Sequence, residues 1–304
     1  MTDSIAVLIP CYNEEKSIVK VINDFKKYLP EAEIYVYDNN STDKTFELAT
    51  KAGAIVRKEP MQGKGNVIRR MFADIDADIY VMTDGDETYD IKRAPELIST
   101  LKENQIDMLV GSRKETNLEC YRSGHRFGNV LLTKLVQTFF HHKLKDMLSG
   151  YRVFSKRFVK TFPAQSMGFE IETELTVYAL SSKLPIMEVE TDYFARPQGS
   201  FSKLSTYRDG IRILKTIITL VKEERPLLFF SLIALFFFAI AVGLSLPILV
   251  EYIKSGLVPR LPTAVLITGI SICSVVCMLI GFVLDSIANA KKEARRQAYL
   301  RYKI

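Results

Sequence analysis

The 304-residue chain contains no tryptophan and only four cysteines. Cys11, Cys120, Cys273 and Cys277 show no metal-ligand spacing, so no cysteine-held metal is expected, and all four are read as small apolar residues with reduced thiols. No internal repeat and no low-complexity tract is present, which argues against a solenoid or a disordered chain. A Gly-x-x-x-x-Gly-Lys-Ser/Thr loop is missing, which excludes a P-loop site. The N-terminus has no signal-peptide pattern. Asp3 stands at its start, and the first apolar run, Ile5 to Ile9, is far too short. The polar part of the chain is therefore expected to stay in the compartment where it is made.

What is present is unevenly spread. Apolar residues make up 48% of the chain, and two uncharged runs stand out, Leu227 to Val250 and Ala264 to Leu284. Each exceeds the ~20 residues that a membrane-spanning helix needs. Buried core helices of this length seldom lack a polar face. The closing segment KKEARRQAYLRYK is strongly basic, whereas the loop Glu251 to Thr263 carries only Lys254 and Arg260 as cations. By the positive-inside rule the protein is expected to be integral to the membrane, with the polar domain and both termini cytoplasmic. The net charge of +6 falls partly in this basic tail, where anionic lipid would attract it; no nucleic-acid partner is expected. The expected organisation is a domain over residues 1–205, a basic amphipathic juxtamembrane helix over 206–226, and a two-helix hairpin with a basic tail over 227–304. That amphipathic segment could equally pack on the domain beside it.

Short apolar runs alternate with helical patterns from the start. IAVLI (5–9), IYVY (34–37), AIV (54–56), IYVMT (79–83) and DMLVG (107–111) read as strands. The helices between them begin near Glu14, Ser41, Gly65 and Ile91, and Ser41-Thr42-Asp43 is the expected N-cap of the second. Such alternation predicts an α/β fold with a mostly parallel, doubly wound sheet. After Gly111 the rhythm breaks, apart from an amphipathic stretch over Asn129 to His142. Ligands of such sheets bind beyond the carboxyl ends of the strands. Three polar clusters fall there: Pro10-Cys11-Tyr12-Asn13-Glu14, Asp38-Asn39-Asn40-Ser41, and Asp84-Gly85-Asp86.

The third cluster, continued by Glu87, places like charges side by side, and they need a counter-charge. An Asp-x-Asp pair on a strand-end turn is a hard, oxygen-only site that suits Mg2+ or Mn2+ delivered with a diphosphate. Gly85 permits a tight turn and close ligand approach. Asp38 suits a ribose or base contact, with helix capping as its plainer role. Gly63-Lys64-Gly65 offers backbone amides at a helix start and one ammonium, an arrangement that suits phosphate, or else a simple turn. Arg113, Lys114, Arg122, Arg126, Arg152 and Lys156 form a basic cluster, with Arg196 to Lys203 further on. Arginine forks bind phosphates, although a solvated basic face looks the same in sequence.

These motifs together resemble a known family. PCYNEE, Asp38 in YDNNSTDKT, GKGNVIRR and DGDETYD are similar to the nucleotide-sugar half of family 2 glycosyltransferases with the GT-A fold. VGSRK, DMLSGYRVFSKR, GFEIETEL and RPQGSFSKLSTYRDG resemble the dolichyl-phosphate mannose synthase branch, which includes bacterial polyprenyl-phosphate glucosyltransferases with two C-terminal spans. The resemblance covers residues 5–225 and implies transfer of a sugar from a nucleotide donor to a polyprenyl phosphate in the membrane. Pro10, Tyr12, Asn13, Glu14, Asp38, Asn39, Lys64, Asp84 and Gly85 would hold the donor, and Asp84 and Asp86 the metal. Arg113, Arg122 and Arg126, with Ser149, would hold the acceptor phosphate; Arg196, Ser202 and Lys203 would form the loop towards the membrane. Asp84, Asp86, Arg113 and Asp146 make up the expected catalytic set, with structural pairing to an arginine as the plainer role of Asp146. Glu170 and Glu172 are further candidates for a base or a sugar-hydroxyl contact. The branch often reads Asp-x-Asp-Leu-Gln; Thr88 stands at the Gln position, leaving water, Glu87 or Thr88 for the third metal position.

A phosphate monoester is already ionised near neutral pH (second pKa ~6), so alignment and stabilisation of the leaving diphosphate are the expected tasks. Inversion at the anomeric carbon is implied by the family. A processive polysaccharide synthase is a rival, but its Gln-x-x-Arg-Trp signature needs a tryptophan. A nucleotidyltransferase would need no spans and would carry a Gly-rich loop after Ile9. A catalytically inactive membrane scaffold would not need the Asp84/Asp86 pair. The donor is expected to be a UDP-sugar, glucose or N-acetylhexosamine, with GDP-mannose as the alternative; a homo-oligomer is left open.

Overall fold

The computed structural model describes residues 3–114, 133–139, 145–197, 206–258 and 260–302. They form two compact units, one of residues 1–217 with 295–304, the other of residues 218–294.

The first unit is built on a seven-stranded sheet in the order β3-β2-β1-β4-β6-β5-β7. The strands are β1 (Ile5–Cys11), β2 (Glu33–Asp38), β3 (Ile55–Lys58), β4 (Ile79–Met82), β5 (Met108–Lys114), β6 (Arg152–Ser155) and β7 (Ile186–Asp192). β1 pairs in parallel with β2 and β4, β2 with β3, and β5 with β7. β6 alone runs against its neighbours β4 and β5. The sheet is thus GT-A-like and mostly parallel, as the strand–helix alternation implies.

Side-chain alternation explains why both faces are covered. Val7, Ile9, Val36 and Val81 point to one core with α1 (Ile18–Tyr28) and α4 (Ala94–Glu103). Ala6, Leu8, Tyr37, Tyr80 and Met82 point to the other, with α3 (Lys64–Asp74), α6 (Lys156–Thr161) and α7 (Ile171–Ser181). Strands buried on both faces read as continuous apolar runs, because successive side chains serve opposite layers.

Two details differ from expectation. The second helix, α2 (Thr45–Lys51), starts later than Ser41. Asp43 accepts hydrogen bonds from the Thr45 amide (2.9 Å) and from the Glu15 amide (3.1 Å), while Ser41 Oγ accepts from the Asn13 amide (2.8 Å). The N-cap position is Lys44, with no side-chain cap bond, and the Ser41–Asp43 turn ahead of it fastens the β1 loop. The described residues of the amphipathic stretch, 133–139, are helical (α5), in line with the reading of that stretch. Finally, Arg152 is neither a phosphate ligand nor part of a solvated face. It is fully buried, and its guanidinium donates to the carbonyls of Ser149 (2.9 Å), Met147 (2.5 Å) and Glu172 (3.1 Å) and to Thr176 Oγ1 (3.0 Å).

The chain continues into α8 (Thr206–Glu224), α9 (Pro226–Ser255) and α10 (Leu261–Tyr299). α9 and α10 are long and apolar enough to cross a membrane. Within the second unit, Ser274 Oγ donates to the Ala234 carbonyl at 2.8 Å. A Cβ on Gly281 would lie 3.1 Å from Phe230 Cβ, so a small residue there lets the two helices approach closely.

The last turn of α10 groups with the first unit. Tyr299 is buried in the second core, and its hydroxyl donates to Asp107 Oδ2 at 2.8 Å. Arg157 and Arg296 lie over the Tyr299 ring at 4.8 and 5.1 Å, and Arg295 over Tyr178 at 5.7 Å. Arg295 therefore meets an aromatic ring of the domain and Arg296 the ring of Tyr299 on its own helix, roles that a basic run does not announce.

Candidate active site

Topology brings the polar clusters to one edge. Asp38 ends β2, residues 12–14 follow β1, residues 83–88 follow β4, and Arg113 lies at the carboxyl end of β5. Because β6 is antiparallel, its amino end, preceded by Asp146, Ser149 and Gly150, reaches the same edge. β7 runs parallel to β5, so Tyr193 to Arg196 emerge there too.

The acidic tip has three carboxylates and three cations. Asp84 Oδ1 meets Lys64 Nζ at 2.5 Å. Asp86 Oδ2 meets Arg196 Nη2 at 2.7 Å. Glu87, held at a left-handed φ of 62°, pairs with Lys20 of α1. Lys64 also contacts Glu172 Oε1 at 2.6 Å, so one buried ammonium joins β4 to α7. Burial disfavours the Lys64 charge, but Asp84 and Glu172 outweigh it and hold its pKa above the ordinary lysine value. For Glu172 burial dominates over Lys64, and its carboxyl is held above the usual carboxylate range.

Glycines set this spacing. A Cβ on Gly150 would lie 2.6 Å from Asp84 Oδ2 and 3.0 Å from Lys64 Nζ, so a side chain there would displace the pair. A Cβ on Gly85 would lie 2.8 Å from Cys11 Sγ, so the close approach there is by a protein sulfur. Cβ atoms on Gly63 and Gly65 would run into the carbonyls of Met167 and Ser166. The Asn66 amide donates to the Met167 carbonyl (3.2 Å) and the Gly63 amide to Asn39 Oδ1 (2.7 Å). The Gly63 amide of the turn and the Asn66 amide just after it are thus engaged within the protein, and Lys64 is the element of the turn that reaches the acidic tip.

Among the expected donor residues, Asp38 has a distinctive position. It is 2% exposed; Oδ2 accepts from the Ser41 amide at 3.3 Å, and buried Oδ1 has no partner among the described residues. A buried acceptor without a partner is costly unless a ligand donor completes it. Asn39 instead ties β2 to the following loop, its amide nitrogen donating to the carbonyls of Glu59 and Met61, both at 2.8 Å. Asn13, at a φ of 54°, accepts from the Thr42 amide at 2.8 Å. The Glu14 amide donates to Thr45 Oγ1 at 2.7 Å, Pro10 lies within β1, and Tyr12 is exposed.

On the acceptor side, Arg113 and Asp146 form a bidentate pair, Nε to Oδ2 at 2.6 Å and Nη2 to Oδ1 at 2.7 Å. The Arg113 guanidinium also lies 5.4 Å from the Tyr193 ring centre. Ser149 is fully buried and donates to the Gly111 carbonyl at 2.6 Å. Arg122, Arg126, Ser202 and Lys203 lie outside the described residues.

Residues 6–162 match the family described as glycosyl transferase family 2. The glycosyltransferase AglJ of Haloferax volcanii is 30% identical over 297 residues, covering 97% of each chain. The chain belongs to glycosyl transferase family 2.

Protein RfbJ of Shigella flexneri is 61% identical to this glycosyltransferase over 124 residues, which are 40% of this chain and 96% of that one. A dolichyl-phosphate hexose transferase of Haloferax volcanii is 26% identical over 224 residues, 73% of this chain and 96% of that one. Among solved structures, glucosyl-3-phosphoglycerate synthase of Mycobacterium tuberculosis, in complex with Mn2+, uridine-diphosphate-glucose and phosphoglyceric acid, superposes with a TM-score of 0.59 at 22% identity. That match covers 72% of this chain and 79% of the other, and shows the GT-A fold.

The donor set at Asp84 and Asp86 fits a hard divalent cation. It consists of carboxylate oxygens, and its charges are met by two side-chain cations that a metal could replace. Among the described residues no group of three or more His, Cys, Asp or Glu side chains converges on one point, so the protein alone does not form a closed cage. Thr88 and Glu87 are otherwise engaged: Thr88 Oγ1 donates to Asp86 Oδ1 at 2.6 Å, and Glu87 faces Lys20.

Several site-building residues escaped the sequence reading. The Tyr89 hydroxyl accepts from the Gly150 amide at 2.8 Å, and its ring packs on Tyr151 and Tyr193. Phe194 donates its amide to the Thr88 carbonyl at 2.8 Å, which brings Arg196 over Asp86. An aromatic in a mixed segment gives no periodic signal, and a pairing between residues 88 and 194 is invisible locally.

Proposed function

We propose that this glycosyltransferase moves a hexose from a nucleotide sugar, a UDP-sugar in the first instance, to polyprenyl phosphate at the cytoplasmic face of a membrane. The observation that carries the reading is the acidic tip of β4, with Asp84 and Asp86 on the edge that also receives Asp38 and Arg113. The relative named as a dolichyl-phosphate hexose transferase supports the acceptor class. The two long apolar helices supply a reason for a lipid acceptor.

Asp38 binds the nucleoside through its unpaired Oδ1. Asp84 and Asp86 would hold Mg2+ or Mn2+, which would supply charge stabilisation to the leaving diphosphate. Lys64, fixed between Asp84 and Glu172, adds a second positive charge on the leaving-group side. Arg113, aligned by Asp146, presents a planar cation to the acceptor phosphate without taking its nucleophilic oxygen's charge. The phosphate oxygen forms the new bond to the anomeric carbon as the bond to the nucleoside diphosphate breaks, which inverts configuration. The Asp84/Asp86 geometry disfavours an inactive scaffold, which would have no use for it.

The test offers UDP-glucose, UDP-N-acetylglucosamine and GDP-mannose, each radiolabelled, to membranes containing the full chain and polyprenyl phosphate, with and without EDTA. The expected result is EDTA-sensitive transfer into the lipid phase from a UDP-sugar. GDP-mannose as the sole donor would replace the donor assignment, and no transfer from any donor would favour the scaffold.

A further inference from the structure

Asp86 has two oxygens with unequal surroundings. Oδ1 accepts from both Thr88 Oγ1 (2.6 Å) and the Thr88 amide (3.3 Å), so it is anchored by its own turn. Oδ2 is the oxygen left for a cation, and there the Arg196 guanidinium sits at 2.7 Å. The Asp86 side chain is only 5% exposed, and that of Arg196 26%, so this pair is shielded from water on the carboxylate side. Burial opposes the Arg196 charge, but Asp86, Tyr193, Glu14 and Asp84 together keep it raised above the ordinary arginine value. A divalent ion bound directly to the same oxygen, with metal–oxygen distances of about 2.0–2.1 Å for Mg2+, would face the guanidinium at close range. Two cations on one buried oxygen repel strongly.

We propose that Arg196 is an internal counter-ion that competes with the divalent cation for Asp86 Oδ2, so that metal binding releases Arg196 and the segment that carries it. This rests on the metal assignment of the proposed function. The segment is suited to such an exchange. Its inner end is fastened by the Phe194 amide to the Thr88 carbonyl (2.8 Å) and by the Tyr89–Tyr193 bridge, which do not involve Asp86. Arg196 can therefore leave while residues 193 and 194 stay in place. The exchange imposes an order: with metal and donor absent, the guanidinium neutralises Asp86; with metal present, a guanidinium becomes available at the same edge for an incoming anion. It also accounts for a carboxylate this buried surviving without metal.

The test measures Mn2+ affinity directly, as free Mn2+ by electron paramagnetic resonance, on the full chain in detergent without donor or acceptor. Arg196→Gln is expected to bind Mn2+ about tenfold more tightly than the parent, the scale of one lost charge-assisted hydrogen bond. Arg196→Lys, which keeps a cation, is expected to stay near the parent, and Asp86→Asn to lose the site. Because the chain has no tryptophan, Ala195→Trp, beside Arg196 and past the fastened residues 193 and 194, gives a single emission reporter. Its emission should respond to Mn2+ with Arg196 present and not in combination with Arg196→Gln. Unchanged or weaker Mn2+ binding in a folded Arg196→Gln variant, with Asp86→Asn still losing the site, would overturn the competition and leave the metal assignment standing. Equal Mn2+ binding by the parent and Asp86→Asn would overturn both. A silent Ala195→Trp reporter would overturn the release of the segment.

Discussion

At Lys64 one ammonium, whose side chain is 9% exposed, meets two carboxylates, so removing it leaves Asp84 and Glu172 facing each other without a counter-charge. Breaking a buried pair from one side costs about 3–5 kcal/mol. Lys64→Met should lower the melting temperature sharply, and adding Glu172→Gln should restore part of the loss; equal melting of Lys64→Met and parent would contradict the bridge. Glu172 carries its own pH signature. Its carboxyl is held above the usual range, chiefly by burial, so the folded chain takes up that proton more readily than the unfolded one. Stability from this group is present below the unfolded value of about 4.3 and declines as pH rises through the folded value. Melting curves across pH should therefore show a smaller decline in Glu172→Gln than in the parent. The placement of Asp38, Asp84 and Asp86 at strand ends was legible in the sequence because an apolar run leads into each turn. The partners of Asp84 and Asp86 were not, since Lys64 and Arg196 lie far from them along the chain and converge only through the fold.

At the scale of elements, the parallel half of the sheet was readable because β1, β2 and β4 are apolar runs between helices. β6 was not, because it opens on Arg152, which a sequence reading assigns to a surface. The fully buried guanidinium instead fastens the loop before β6 to α7 through carbonyls of Met147, Ser149 and Glu172. Gly65 marks another such join. Its missing Cβ lets the segment at Ser166 and Met167 lie against the start of α3. Gly65→Ala should force that backbone away, at a cost of about 1–3 kcal/mol, and reduce activity by moving Lys64; denaturant unfolding would read the first and transfer assays the second. An unchanged unfolding midpoint would show that the contact relaxes freely.

For the whole molecule, the C-terminal segment is the part whose role composition concealed. A basic run after an apolar span reads as a lipid-facing tail, yet Tyr299 lies in the domain core and bonds to the fully buried Asp107, which also pairs with Arg157. Tyr299→Phe removes one donor from that carboxylate and should cost about 1 kcal/mol of domain stability; no change in melting would show that the tail is held by ring packing alone. The central claim is that the β4 tip holds a metal that serves sugar transfer to a lipid phosphate. Its most direct test is transfer of radiolabelled sugar into polyprenyl phosphate by Asp86→Ala, assayed beside the parent at matched membrane levels and matched thermal stability. The account predicts that Asp86→Ala stays folded and membrane-bound and transfers no sugar; turnover at the parent rate in that variant would contradict it.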